Sequence, residues 1–254
     1  MIGSFLNLLA YRLPIMTRRD ERADCLNFLG LPAESNPPFD LAFPGSHCPS
    51  CKTPIKPWHN VPVLGWLVLR GRCAACGVGI SARYPLVELA CGALSVLVGW
   101  RFGVGGQMAA ALCLTWGLLG LSVLTWDSGE PSLDVTLPLL WLGLLWHCGG
   151  VFASAEAGIL GALLGFLTAW LFYRGLGLAN AYADSWACAM LGAWLGWRLL
   201  PWVALFALPV YVGLEWGVSR RFAWPARRRF VLYAIWAGWA LLLAPTGWLN
   251  HFVD

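Results

Sequence analysis

Two Cys-x-x-Cys pairs, Cys48/Cys51 and Cys73/Cys76, with 21 residues between them, lie in the longest polar interruption of an otherwise apolar chain. Thiolate pairs at that spacing can close on one tetrahedral zinc ion, because each short knuckle presents both sulfurs to a common point. A closed four-cysteine site has no open coordination position, so it is expected to staple a loop while the chemistry lies elsewhere. His47 and His59 flank the knuckles as alternative ligands. Cys25, Cys91, Cys113, Cys148 and Cys188 are unpaired by spacing and sit mostly in apolar runs, where cysteine acts as a small hydrophobe. The second group is acidic: Glu88, Asp127, Asp134, Asp184 and Glu215 fall within or at the ends of apolar segments. An ionisable residue at membrane depth is costly and marks a candidate site.

The elements that must carry these residues are membrane helices. Of 254 residues, 59% are apolar, only 12% are charged and 17 are Trp, far from the composition of a soluble domain. The expected fold is all-α, a polytopic transmembrane bundle of about 7 to 8 spans with a cytoplasmic zinc-knuckle loop. Residues 1–14 read as a first, partial span of roughly 20 Å, either truncated or tilted. It lacks the basic start and cleavage site of a signal peptide. Residues 15–83 read as an irregular cytoplasmic loop with the four-cysteine site, and 84–254 as the bundle with the acidic residues. Within it, apolar runs lie near residues 86–100, 108–126, 133–146, 157–173, 186–199, 202–218 and 230–243.

Orientation follows from the cations, which mark the cytoplasmic side. Alternating spans place 15 of the 17 Lys and Arg residues on the side of the cysteine loop and leave Arg101 and Arg198 on the other. The loop is therefore expected in the cytoplasm, where paired thiols favour metal over disulfide. The net charge of +4 is accounted for by topology and anionic membrane lipid, with no nucleic-acid partner. Asp127 closes one span and Asp184 precedes another at the same cytoplasmic face, 57 residues apart in sequence. Two such carboxyls can act as an aspartic-protease pair, one retaining a proton while the other activates water against a peptide carbonyl. A helix N-cap is the alternative reading of Asp184.

The chain resembles the type IV prepilin peptidases, bifunctional membrane enzymes that process prepilins and the pseudopilins of type II secretion. The resemblance runs in order through Gly3-Ser4-Phe5-Leu6-Asn7, Tyr11-Arg12-Leu13-Pro14 and both cysteine pairs to Ser81-Ala82-Arg83-Tyr84-Pro85-Leu86-Val87-Glu88-Leu89. It resumes at Leu137-Pro138-Leu139-Leu140-Trp141-Leu142-Gly143-Leu144 and Gly192-Ala193-Trp194-Leu195-Gly196-Trp197. It implies a bacterial inner-membrane enzyme that cleaves a short basic leader after a glycine at the cytoplasmic face. It implies also that the new amine is then methylated from S-adenosylmethionine. The family's two catalytic aspartates fall on Asp127 and Asp184. Its Leu-Pro-Asp is here Ser132-Leu133-Asp134, its Gly-x-Gly-Asp turn is Ala181-Tyr182-Ala183-Asp184, and the lysine usually two residues later is Trp186. The segment after Val218, including Ala223-Trp224-Pro225, fits the family poorly.

Two functions follow. The first is an aspartic endopeptidase and N-methyltransferase of prepilins and pseudopilins, with Glu88, beside the zinc loop, as the candidate for binding S-adenosylmethionine. An ion pair of Glu88 with Arg83 or Arg12 is its alternative. The second is a non-catalytic homologue that binds pilins as an assembly scaffold, favoured by the altered residues before Asp184. A transporter fits less well, because the acidic residues gather at one face and form no series across the bilayer.

Overall fold

The computed structural model describes residues 1–32, 37–152, 154–175, 181–218 and 230–244, with side chains at 181, 211–218 and 230–232 outside the description. The basic segment 219–229 with Ala223-Trp224-Pro225 and the Glu215 side chain thus lie outside the described residues. The described residues form α-helices, two short 3₁₀ turns and two isolated β-bridges. The chain divides within one long helix into two compact units, Met1–Leu94 and Ser95–Asp254.

The first unit is built on α1 (Ile2–Phe28), α2 (Leu64–Val68) and the start of α3 (Arg83–Phe102). Helix α1 runs through Pro14 as far as Phe28, well past the point at which the sequence reading ends the first span. Its outer half carries Arg18, Arg19, Asp20, Glu21 and Arg22; the arginines and Glu21 favour helix, and none of the five favours lipid. Gly3, Leu6, Asn7 and Ala10 form its buried stripe at helical spacing. The stripe meets α3 in antiparallel fashion: a Cβ at Gly3 would lie 2.7 Å from the Glu88 Cα, and Asn7 Nδ2 donates to the Tyr84 carbonyl at 3.1 Å. Arg12 is buried and donates to the carbonyls of Asp40, at 2.6 Å, and Pro44. It thereby ties the 39–44 loop to α1. Within that loop the Asp40 carboxylate accepts from the amides of Ala42 and Phe43, both at 2.6 Å. Those two bonds, with the Arg12 charge, hold the Asp40 carboxyl below its ordinary value.

The second unit continues α3 and adds α4 (Gly106–Ser128), α5 (Leu133–Cys148), α6 (Ala155–Gly175), α7 (Ala181–Leu195), α8 (Leu200–Val218) and α9 (Phe230–Leu243). Helix α4 is its core, with Leu114, Leu118, Leu121 and Leu124 almost fully enclosed. Because lipid satisfies no polar group, indoles and hydroxyls pair inside the bundle. Trp239 Nε1 donates to Thr115 at 2.8 Å, Trp236 Nε1 to Ser122 at 3.1 Å, and Trp194 Nε1 to the Leu139 carbonyl at 2.8 Å. Arg101 donates from Nε to the Leu243 carbonyl at 3.0 Å and from Nη2 to that of Ala244 at 2.8 Å. It closes the C-terminal end of α9, a favourable place for a cation.

Among the described residues, helices α3, α4 and α6 are each long and apolar enough to cross a membrane, and the α7–α8 pair, bent by 115°, makes up to a fourth crossing. Three features set the remaining apolar runs apart from these. The outer half of α1 is charged, α5 and α9 are short, and the runs at 186–199 and 202–218 are joined by a sharp bend at Gly196, whose φ is +73°. That conformation suits glycine.

Candidate active site and metal centre

The candidate metal centre follows from two matching local folds. In each, the residue after the second cysteine adopts positive φ, Lys52 at 59° and Gly77 at 71°. Its amide donates to the carbonyl of the first cysteine, both at 2.9 Å. A single bridge closes each loop, His47 to Pro54 and Arg72 to Gly79. The four Sγ atoms lie within 4.8 Å of one another, with Cys48 to Cys76 at 3.8 Å and Cys51 to Cys73 at 4.0 Å. A tetrahedral zinc with bonds of about 2.3 Å needs sulfurs about 3.8 Å apart, so the four cysteines fit it. No histidine joins this cluster among the described residues, and the His47 imidazole meets the Gly45 carbonyl at 2.8 Å.

The sulfurs are electrostatically unequal. Hydrogen bonds from the Thr53 hydroxyl and amide bring the Cys51 thiol down to about 6. The Cys73 thiol is lowered by the amides of Cys76 and Ala75. For Cys76 the Val78 amide acts in the same sense but is outweighed by lost solvation and the neighbouring sulfurs, which push it up to about 11.

Glu88 stands five residues inside α3, where the sequence analysis placed a cofactor candidate. Its Oε1 accepts from the Ser4 hydroxyl and its Oε2 from the Val63 amide, the latter at 2.7 Å. Val63 sits at φ 62°, an unusual conformation for a β-branched residue, and the carboxylate holds its amide there. Glu88 thus fastens α1 and the residue before α2 to α3. These long-range partners leave no signal in local spacing; only the presence of Ser4 and Glu88 in two blocks of the resemblance points to them.

Asp127 is exposed in the last turn of α4, which ends because Gly129 adopts φ +83° and returns its amide to the Thr125 carbonyl at 2.8 Å. Asp134 is exposed in the first turn of α5, four residues beyond Glu130. Asp184 is half-buried and belongs to the first turn of α7, which begins at Ala181. It is therefore inside the helix, which corrects the N-cap reading. The residues matching the family's Gly-x-Gly turn are also helical, as expected when alanine replaces glycine.

The order of the helices brings these carboxylates to one end of the second unit. Helices α4 and α5 are joined by four residues and reverse direction, with Gly117 packed on Leu139. Helices α6 and α7 run antiparallel: Gly158 meets the Ala193 carbonyl, Gly161 meets Gly192, and Gly165 meets Cys188. The C-terminal end of α4, the N-terminal ends of α5 and α7 and the C-terminal end of α6 consequently coincide, while Trp194 and the buried His147 belong to the opposite end. Trp186, half-buried and two residues from Asp184, turns instead toward Phe166, at 5.0 Å between ring centres, and Tyr182, at 6.0 Å.

Comparison with known proteins covers both units. Residues 1–102 match the bacterial peptidase A24 N-terminal domain, and residues 111–215 match the type IV leader peptidase family. The chain is 46% identical over 213 residues to a prepilin leader peptidase/N-methyltransferase of Stutzerimonas stutzeri, covering 82% of this chain and 74% of the relative. Proteins of the same name match at 40% over 250 residues in Pseudomonas putida and at 41% over 252 residues in Aeromonas hydrophila, each covering 96% of this chain and 87% of the relative. No solved structure matches.

Proposed function

Because the chain belongs to the type IV leader peptidase family, we propose that it cleaves the leader of prepilins or pseudopilins and methylates the amine so released. It is a multi-pass membrane protein, and the proposed active side is the cytoplasmic face of a bacterial inner membrane, the side to which most of its cations are assigned.

Asp127 and Asp184 are the proposed peptidase pair. The reading rests on one observation, the antiparallel order of α4 to α7, which gathers the two aspartate-bearing helix ends. In the proposed step the ionised carboxylate takes a proton from water as it adds to the scissile carbonyl, and the protonated partner supplies one to the leaving amine. The substrate's apolar helix would lie in the bilayer beside the bundle, with its charged leader outside, so that the scissile bond meets the pair at the boundary. Zinc, held by Cys48, Cys51, Cys73 and Cys76, would serve as a structural staple. S-adenosylmethionine, implied by the relatives' name, would supply the methyl group. Glu88 is the proposed contact for it: its carboxylate is positioned by Ser4 and Val63 and keeps further acceptor sites on both oxygens.

The test uses membranes containing the full chain, a matching prepilin and S-adenosylmethionine, with the substrate read by mass spectrometry. Cleavage after the leader glycine, reduced about 10²- to 10⁴-fold in both Asp127→Asn and Asp184→Asn, is expected for a general acid–base pair. Intact prepilin that still co-purifies with the wild-type chain would overturn the enzyme in favour of the binding scaffold.

A further inference from the structure

Helix α2 carries its aliphatic side chains outward. Leu64, Leu67 and Val68 are 60%, 56% and 75% exposed, at the i, i+3 and i+4 positions of one stripe. The inner face is already committed: Gly65 is buried against the His59 backbone, and Trp66 donates Nε1 to the Ile80 carbonyl at 3.0 Å. Exposed Val61 and Trp58 extend the patch, and the exposed cations Lys56, Arg70 and Arg72 flank it in sequence. Lys56 Nζ stands 5.4 Å above the Trp58 ring.

The position of this patch along α3 follows from a bond already described. The Val63 amide, immediately before α2, is held by Glu88, and Glu88 is five residues inside a helix long and apolar enough to cross a membrane. That places the start of α2 about 7 Å along the α3 axis from Arg83. There the exposed Leu86 and Leu89 of α3 are themselves apolar. A short apolar stripe at that position, flanked by cations, has the chemistry of an interfacial anchor.

We propose that Trp58, Val61 and the outer face of α2 insert into the headgroup boundary of an anionic bilayer, with Lys56, Arg70 and Arg72 against lipid phosphates. The second zinc knuckle, which begins at Cys73, is thereby held at the membrane surface. This inference depends on membrane insertion alone and is independent of the aspartate pair.

The experiment reconstitutes the full chain into phosphatidylethanolamine/phosphatidylglycerol vesicles. These contain a phospholipid with a diazirine near the carbonyl end of its acyl chain, and photo-adducts are mapped by mass spectrometry. Adducts on segment 58–69, alongside those on 86–89, are expected. Their yield should fall at least about fivefold in Leu67→Gln/Val68→Gln and in Lys56→Gln/Arg70→Gln/Arg72→Gln, and also when the anionic lipid is replaced by phosphatidylcholine. Zinc content and the 86–89 adducts report whether the variants are intact. Labelling of 86–89 without 58–69 in the wild-type chain overturns the proposal. So does a cross-link from 58–69 to added prepilin or to a second copy in place of lipid.

Discussion

At the scale of single residues, hydrogen bonding and lost solvation set Cys51, Cys73 and Cys76 apart. The Cys51 thiol has a depressed value of about 6, so in metal-free protein it is a thiolate above that pH, and the thiolate is lost as the pH falls through it. Alkylation of Cys51, followed by peptide mass spectrometry, should be half-maximal near pH 6, whereas Cys76, raised to about 11, should stay unreactive at neutral pH. Thr53→Val removes the largest cause and should move the Cys51 midpoint upward toward the ordinary thiol value. Buried Arg12 supports the 39–44 loop through two carbonyls, and Arg12→Ala removes both charge-assisted bonds. A loss of about 2 kcal/mol is expected for the first unit, seen as thermal unfolding at lower temperature. Arg12→Lys should recover only part of it, because an ammonium lacks the guanidinium fork.

At the scale of elements, glycine and alanine decide most of what distinguishes this chain. A Cβ on Gly192 would stand 2.0 Å from the Gly161 carbonyl oxygen, and one on Gly161 2.3 Å from that of Gly192. Gly192→Val should therefore separate α6 from α7 at a cost of about 3 kcal/mol or more, measured as lost folded yield and melting temperature. Gly92 in α3 meets nothing within 4 Å, and Gly92→Ala should instead be neutral or stabilising by up to about 1 kcal/mol. Before Asp184 the direction reverses. Ala181→Gly/Ala183→Gly removes about 2 kcal/mol of helix preference from the first turn of α7 and restores the family's pattern. The initial rate of prepilin cleavage is expected to rise several-fold while thermal stability falls. The four-cysteine cluster was legible in the sequence because a knuckle is local and its spacing is its geometry. The start of α7 was not: family resemblance suggested a turn, while the alanines continue a helix. Nor was the extent of α1 legible, because an apolar pattern marks only the buried part of a helix whose charged end continues beyond it. The tie from Glu88 to Ser4 and Val63 spans 84 and 25 residues, beyond the reach of any local pattern.

At the scale of the molecule, the cations and the helix order give one testable sidedness. Cys148 is exposed at the end of α5 opposite the aspartates, whereas exposed Cys25 lies in the basic stretch of α1. In intact cells a membrane-impermeant maleimide should modify Cys148 and spare Cys25, and disruption of the membrane should make Cys25 reactive. Equal labelling in intact cells would refute the orientation.

The Gly161–Gly192 contact also bears on how such a chain is assembled. At this contact the seam between α6 and α7 is backbone against backbone, with no rotamers to immobilise at its centre. Two helices joined in sequence whose central contact orders no side chain are suited to enter the bilayer together as a hairpin during synthesis. The half-buried Asp184 would then reach membrane depth already inside a paired helix, before α8 and α9 have left the ribosome.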